Sequence, residues 1–221
     1  MKKMYAFVFI GLLGVWSVPV RAEVPQELKT PSNNQILAKV ESLLNSVKTM
    51  QSKFVQFNSV DDANLIDGTF YLSRPNKMRL IYNPPVELEF VADGKSLIYH
   101  DKTFDQITHL SLDETPASIL LKEKFSFDDP SVLVTDIREI LDDYEITAVQ
   151  KDNPALGSIT LVVTKQPVSL RQWDILDAQG IKTSIALYDN QYNVPVDSSL
   201  FVFKDPRMKK NTGDLTKRRG R

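Results

Sequence analysis

Cysteine is absent from the 221 residues, and that absence excludes more chemistry than any other feature of the chain. There can be no disulfide framework, no Cys-ligated zinc or iron–sulfur cluster, and no thiol nucleophile. Histidine is almost as scarce. His100 and His109 leave little for a histidine-rich metal centre, and neither a metal nor any other cofactor is expected. The usual catalytic spacings are missing as well: no Gly-x-Ser-x-Gly, His-Glu-x-x-His, Gly-x-Gly-x-x-Gly or phosphate-loop pattern occurs. Adjacent carboxylates are present at Asp61-Asp62, Asp128-Asp129 and Asp142-Asp143, where turn-like sequence makes them solvated loop residues. Glu87 and Glu89 would share one strand face, and with the two histidines they carry the only hydrolase reading. Alternation assigns the pair to a polar outer face and places both histidines at exposed hairpin positions.

Long hydrophobic runs are also lacking, with one exception. Lys2 and Lys3 precede an uncharged stretch from Met4 to Val20, which closes on Val20-Arg21-Ala22. Positive, apolar and small residues in that order form a secretory signal, so cleavage after Ala22 and a periplasmic destination are expected. The run contains Gly11, Gly14 and Pro19 and is short for a spanning helix, which wants about 20 apolar residues. Without cysteine the exported chain cannot itself be lipidated. What remains, 42% apolar and 25% charged with 8 Gly and 12 Pro, is ordinary globular composition sized for a single domain over residues 23–206.

The net charge of −1 conceals a division. Residues 23–206 hold 17 Lys/Arg against 27 Asp/Glu, whereas 207–221 hold 7 against Asp214 alone. The tail reads as a solvated, disordered end or as an attachment for anionic lipid headgroups or an acidic partner. An acidic body behind an export signal, with no nucleic-acid-binding motif, argues against nucleic acid.

Periodicity orders the rest. Ile36, Val40, Leu43, Leu44 and Val47 recur at helical spacing behind Ser32 or Asn33 as N-cap, predicting a helix over about 33–50. From Lys53 the period becomes two, with strands predicted around Phe54, Phe70–Leu72, Met78–Tyr82, Val86–Phe90 and Leu97–Tyr99, and a tight hairpin at Asp93-Gly94. Thr115-Pro116 and Asp129-Pro130 look like helix starts, which predicts two short helices or helical turns between 115 and 142. Strands then resume over 144–149, 159–164, 170–176, 183–188 and 200–203. The result is mainly β with α: one long helix, then roughly ten antiparallel strands interrupted by a small helical insert.

These strands present one dry face rich in large side chains, among them Phe54, Phe70, Leu72, Met78, Leu80, Tyr82, Leu88 and Phe90, with Trp173, Ile175, Phe201 and Phe203 further on. Such a face either fills a packed core or, on a strongly curved sheet, encloses a ligand cavity. Periodicity does not separate the two.

The run Gly68-Thr69-Phe70-Tyr71-Leu72-Ser73-Arg74-Pro75-Asn76-Lys77-Met78-Arg79-Leu80 resembles the central signature of the periplasmic outer-membrane lipoprotein carriers, the LolA family. Phe54-Val55-Gln56, the block Val91 to Tyr99, Thr115 to Leu121 and Leu200 to Phe203 follow in the order that family has them, so the likeness covers residues 33 to about 206. The resemblance implies an incomplete antiparallel β-barrel of about 10–11 strands, enclosing an apolar cavity covered by the long helix and short inserted helices. It further implies a periplasmic carrier without catalytic activity, and most simply a monomer. Its partners would be acylated lipoproteins, an inner-membrane ABC transporter that loads it, and an outer-membrane receptor, where one exists, that unloads it. On this reading Phe54, Phe70, Leu72, Met78, Leu80, Tyr82, Leu88, Phe90, Ile119 and Leu120 line the acyl-chain cavity. Arg74 becomes the latch that keeps the empty cavity closed, since a guanidinium offers five donors to helix-end carbonyls. A general lipid-binding or envelope-stress sensor of the same fold is the alternative; a periplasmic hydrolase is the second.

Overall fold

The computed structural model describes residues 32–58 and 61–207. The leader expected over 1–22 and the basic tail beyond Arg207 lie outside the described residues.

Helix α1 (Asn33–Ser46) places Ile36, Val40 and Leu44 at four-residue spacing on one buried stripe. The Ser32 backbone N–H donates to Gln35 Oε1 at 3.2 Å, one half of a capping box. The helix ends four residues earlier than its periodicity predicts. Thr49 already pairs with Ser73, and Met50 with Leu72 and Tyr192, and extended pairing wins over helical spacing there.

Six strands follow, β1 (Thr49–Asn58), β2 (Asp61–Ser73), β3 (Lys77–Tyr82), β4 (Leu88–Asp93), β5 (Ser96–Asp101) and β6 (Gln106–Ser111). A 3-10 turn (Leu112–Glu114) and the one-turn helix α2 (Ser118–Leu121) interrupt the sheet. Five more strands complete it: β7 (Val132–Ile140), β8 (Asp143–Gln150), β9 (Gly157–Lys165), β10 (Val168–Asp177) and β11 (Lys182–Tyr192). All eleven belong to one antiparallel sheet in the order β6-β5-β4-β3-β2-β1-β11-β10-β9-β8-β7. Its edges, β6 and β7, are not paired to each other, so the sheet is open, as the expected incomplete barrel requires.

Alternation fixes the faces. Along β3, Met78, Leu80 and Tyr82 are buried on the covered face, while Lys77, Arg79 and Ile81 are half-buried on the back. The covered face packs beneath α1 and the 112–127 segment in one continuous core that includes Phe54, Phe70, Leu121, Phe125 and Trp173. Phe54 meets Tyr82 edge-on at 5.1 Å, and Phe70 tilts against Trp173 at 5.0 Å. Gly68 allows the first contact: a Cβ there would sit 2.8 Å from the Phe54 ring and 2.1 Å from the Ile81 carbonyl oxygen. The Asp93-Gly94 hairpin forms as predicted, with Gly94 at φ +110° and Asp93 Oδ1 accepting from the Lys95 and Ser96 amides at 2.9 Å.

Three local expectations fail, each for a tertiary reason. Residues 132–140, expected to be helical, form the edge strand β7, because Val132, Val134 and Ile137 gain a pairing partner in β8 that no isolated turn could supply. Asp129 still caps locally, accepting from the Ser131 amide at 2.9 Å, but the chain leaves that turn extended. Leu200–Phe203, expected to be a strand, is the end of a 3-10 turn (Ser198–Phe201) followed by extended chain, and it packs on the back of β3 and β4. That strap explains the third difference. Glu89 does lie on the outer face, as alternation requires, yet it is buried, and so is His100, whereas His109 is exposed.

Candidate functional site: an apolar cavity under the covering segment

Between the covered face and the 112–121 segment lies a cavity of about 470 Å³. Its floor draws on β3 (Met78, Leu80, Tyr82), β4 (Phe90), β10 (Trp173, Ile175) and β11 (Ile185), and its roof is Thr115, Pro116, Ala117, Leu120 and Leu121. Leu110 of β6 and Ile159 of β9 also reach it. Eight positions separate those two strands in the sheet order, so the sheet must curl strongly to bring them to one space. The cavity meets solvent at the exposed residues Leu110, Glu114, Ala178 and Gln179.

Two of its polar groups, at Tyr82 and Asp177, are tied down. The Tyr82 hydroxyl pairs with Gln56 Oε1, and burial, reinforced by Tyr99, pushes that phenol above its ordinary pKa. Asp177 Oδ1 accepts from the Gln179 and Ile181 amides at 2.9 Å, closing the β10–β11 turn. Among the described residues no group of three or more His, Cys, Asp or Glu side chains is placed to hold a metal ion. An enclosure lined mainly by apolar side chains is suited to hydrocarbon.

Of the ten side chains read from the sequence as cavity lining, the structure brings Met78, Leu80, Tyr82, Phe90 and Leu120 together around this space. Phe54, Phe70 and Ile119 are sealed in the packed core, with Phe54 wholly inaccessible. Leu88 is half-buried at its margin, and Leu72 faces a separate, nearly closed void under α1 together with Phe70 and Arg74. Trp173 and Ile175, in the sequence only members of a dry face, and Ile185, in the sequence only part of the predicted strand 183–188, also line it. Nothing local in the sequence says that β10 and β11 curl toward β3.

Arg74 follows β2 and points under the covering segment. Its Nη1 donates to the Lys122 carbonyl, immediately after α2, while the Asn76 amide donates to the Leu121 carbonyl at 2.8 Å. Two carbonyls at the end of α2 are thus satisfied from the β2–β3 turn. Burial lowers the Arg74 pKa to about 10, which still leaves it cationic at neutral pH, and its Nε is buried without a partner. Lys122 is itself held, its Nζ 2.7 Å from both Asp129 Oδ2 and Ser131 Oγ. The hydrogen bond from Lys122, with those from Ser131, draws Asp129 down to about 2. The roof is therefore pinned at its α2 end by Arg74, Asn76 and the Lys122–Asp129 pair.

On the back of the sheet a second polar cluster has no counterpart in the sequence reading. Arg79 Nη2 lies 2.6 Å from Glu89 Oε2, His100 Nδ1 lies 2.9 Å from Glu89 Oε1, and Arg79 Nη1 donates to the Leu200 carbonyl at 2.8 Å. Burial pushes Glu89 up, but hydrogen bonds from His100 and Arg79 and the charges of Arg79 and Lys102 outweigh it, so the carboxyl sits below its ordinary value. Val91, Ile98 and Phe201 are buried beside it, outside the main core. This cluster faces away from the cavity and fastens the strap, and Glu87 beside it is exposed. Glu89 is thus engaged by Arg79 and His100 on the back of the sheet.

The comparison with protein families decides between cavity-forming folds. The sequence model described as "Outer membrane lipoprotein carrier protein LolA" matches residues 45–204. The chain belongs to the LolA family. An outer-membrane lipoprotein carrier protein from Alkalilimnicola ehrlichii is 27% identical over 175 residues, which are 72% of this chain and 75% of that protein. One from Pectobacterium carotovorum is 24% identical over 220 residues, covering 94% of this chain and 96% of the relative. A LolA superfamily protein from Nitrosomonas europaea, known from its crystal structure, superposes with a TM-score of 0.46 at 10% identity, over 79% of this chain and 99% of that one. The LolA match spans the whole described sheet from β1 to the strap, including every cavity-lining residue and Arg74.

Proposed function

We propose that this LolA-family protein is a periplasmic carrier that takes up the acyl chains of lipoproteins released from the inner membrane and delivers them to the outer membrane. The supporting observation is the apolar cavity, roofed by a segment whose end is pinned through Arg74. Hiding an acyl chain of about 15 methylenes from water is worth on the order of 12 kcal/mol, at roughly 0.8 kcal/mol per methylene. A carrier must match that in the aqueous compartment and then give it up. The release problem is what a latch addresses. If the roof is more stable when closed on an empty cavity, part of the acyl-binding energy is offset by the cost of opening, and hand-over becomes feasible.

On this reading Met78, Leu80, Tyr82, Phe90 and Leu120 contact acyl chain, and Phe54, Phe70, Leu72, Leu88 and Ile119 support that wall from the core. An inner-membrane ABC transporter loads the carrier, and an outer-membrane receptor, where present, accepts the cargo. The sequence itself supplies a reporter. Trp173 lines the cavity, and it is the only tryptophan of the chain once residues 1–22 are removed. Titration with a lipopeptide whose acyl chains carry bromine should quench Trp173 emission, and its unbrominated analogue should not. Binding of the lipopeptide without any bromine-dependent quenching would place the acyl chains elsewhere and sink the assignment.

A further inference from the structure

The two edges of the open sheet are unlike. β7 is blunted as exposed edges usually are: a bulge between Val134 and Asp136 breaks its register with β8, and Asp136, Arg138 and Glu139 place charges along it. β6 has none of these devices. From Gln106 to Ser111 it contains no Pro, Lys, Arg, Asp or Glu, and it pairs with Asp101 to Ser96 in unbroken register. Among the described residues β5 is its sole strand partner.

The Leu112 amide donates to the Lys95 carbonyl at 3.0 Å, and this bond fixes the phase of the β5–β6 ladder. Hydrogen-bonded pairs alternate along an antiparallel ladder, so Gln106, Thr108 and Leu110 turn their N–H and C=O groups toward β5. Ile107, His109 and Ser111 turn theirs outward. This outward row borders the cavity. Leu110 is at once a residue of β6 and part of the lining, and Glu114, just beyond the strand, stands with it at the mouth. A peptide attached to a chain held in the cavity can leave it there, beside backbone groups that lack a strand partner.

We infer that the β6 edge binds the peptide segment that follows the acylated residue of the cargo, adding it to the sheet as an extra antiparallel strand. The inference rests on the acyl-carrier reading and gives the cargo a second point of attachment. Direction follows from where the peptide starts. From Leu110 it meets only Ser111 one way and the rest of β6 the other, so it runs toward Gln106, antiparallel to the strand. Strand addition reads main chain, which every peptide possesses, and therefore suits cargo of differing sequence. Because the acyl chains are anchored next door, these few hydrogen bonds form within one complex and act at high effective concentration.

The probe is the brominated lipopeptide with about six residues after its acylated residue, enough to match the six of β6; a brominated fatty acid is the probe without peptide. Both should quench Trp173. Hydrogen exchange followed by NMR should slow at the Ile107, His109 and Ser111 amides with the lipopeptide and stay fast with the fatty acid. N-methylating alternate peptide amides should weaken binding by about tenfold in one phase and hardly at all in the other, since only one set of amides faces β6. His109→Pro removes one outward donor at an edge position, where proline is tolerated, and should weaken the lipopeptide by about two- to tenfold while fatty-acid quenching persists and reports a folded variant. Lipopeptide quenching without slowed exchange, or affinity indifferent to the phase of methylation, would overturn the inference and leave the carrier reading standing. No quenching by either probe would remove the carrier reading and this inference with it. Slow exchange of the three amides in the free protein would also overturn it, because the edge would then be taken by a second copy or by another segment of this chain.

Discussion

Arg74→Leu removes the side-chain half of the proposed roof latch and leaves the backbone half, Asn76 to Leu121, in place. The lost contact is charge-assisted, and such hydrogen bonds contribute roughly 1.5–3 kcal/mol, a factor of about ten to a hundred and fifty in an equilibrium. The fold should lose less than that. Arg74 is half-buried beside Leu43, Leu44 and Val47, and its cation is already penalised by desolvation, so an apolar replacement of similar reach recovers part of the cost. The predicted effect therefore falls on the balance between closed and open roof. With the latch gone the empty closed state loses its advantage, apparent acyl affinity rises, and loaded protein retains its cargo. Loading the variant with lipoprotein and following transfer to acceptor membranes should show near-normal loading and transfer slowed by about one to two orders of magnitude. Arg74→Lys, which keeps one charged donor, should fall between. The reasoning is refuted if the variant fails to load while whatever it does load is transferred at the normal rate; Arg74 would then be a contact for the loading transporter.

Further predictions separate cavity from core, strap from site, and one titration from the rest. Leu80→Glu places a carboxylate in the cavity wall, where solvent can reach it while the cavity is empty, and should abolish acyl binding with a modest change in melting temperature. Phe70→Glu, at 1% exposure against Trp173, should unfold the protein, at a cost of several kcal/mol. Phe201→Ala should destabilise by about 3–5 kcal/mol, read from urea midpoints, and leave bromine quenching of Trp173 intact, because Phe201 packs on the back of the sheet. Asp129 is held at about 2, against an ordinary value of 3.8, by the Lys122 and Ser131 hydrogen bonds. A carboxyl lowered by folding contributes stability that is complete above its unfolded value and is lost as pH falls through its folded one. The urea midpoint should accordingly decline between about pH 4 and 2. Asp129→Asn should flatten that decline, and an unchanged slope would show that the pair does not form.

Much of this architecture is legible in the sequence because it is local. The four-residue spacing of Ile36, Val40 and Leu44, the alternation of Met78, Leu80 and Tyr82, and the Asp93-Gly94 turn each act within a few residues, and each appears as read. The failures are where distant chain segments decide. Asp129-Pro130 looks like a helix start, but Val132 to Ile140 find an edge to pair with. His100 and Glu89 look like surface residues, and they are buried because a strap more than a hundred residues away lies over them. The cavity follows the same division. Its β3 and β4 lining is visible as an alternating run, whereas the contribution of Trp173, Ile175 and Ile185 depends on the curl of the whole sheet, which no single strand encodes. Phe54 and Phe70 share the same apolar face as Leu80 and yet fill core. The difference arises from Gly68, which lets the Phe54 ring lie down, and from Trp173, which closes over Phe70.

The central claim is that the cavity is occupied by the acyl chains of lipoproteins. Native mass spectrometry of the wild-type protein and of Leu80→Glu, each purified from the periplasm of its own host without detergent, tests it most directly. A one-to-one complex with acylated lipoprotein is expected for the wild type and bare protein for the variant. Free phospholipid alone in the wild-type cavity, or lipoprotein bound equally by both proteins, would contradict it.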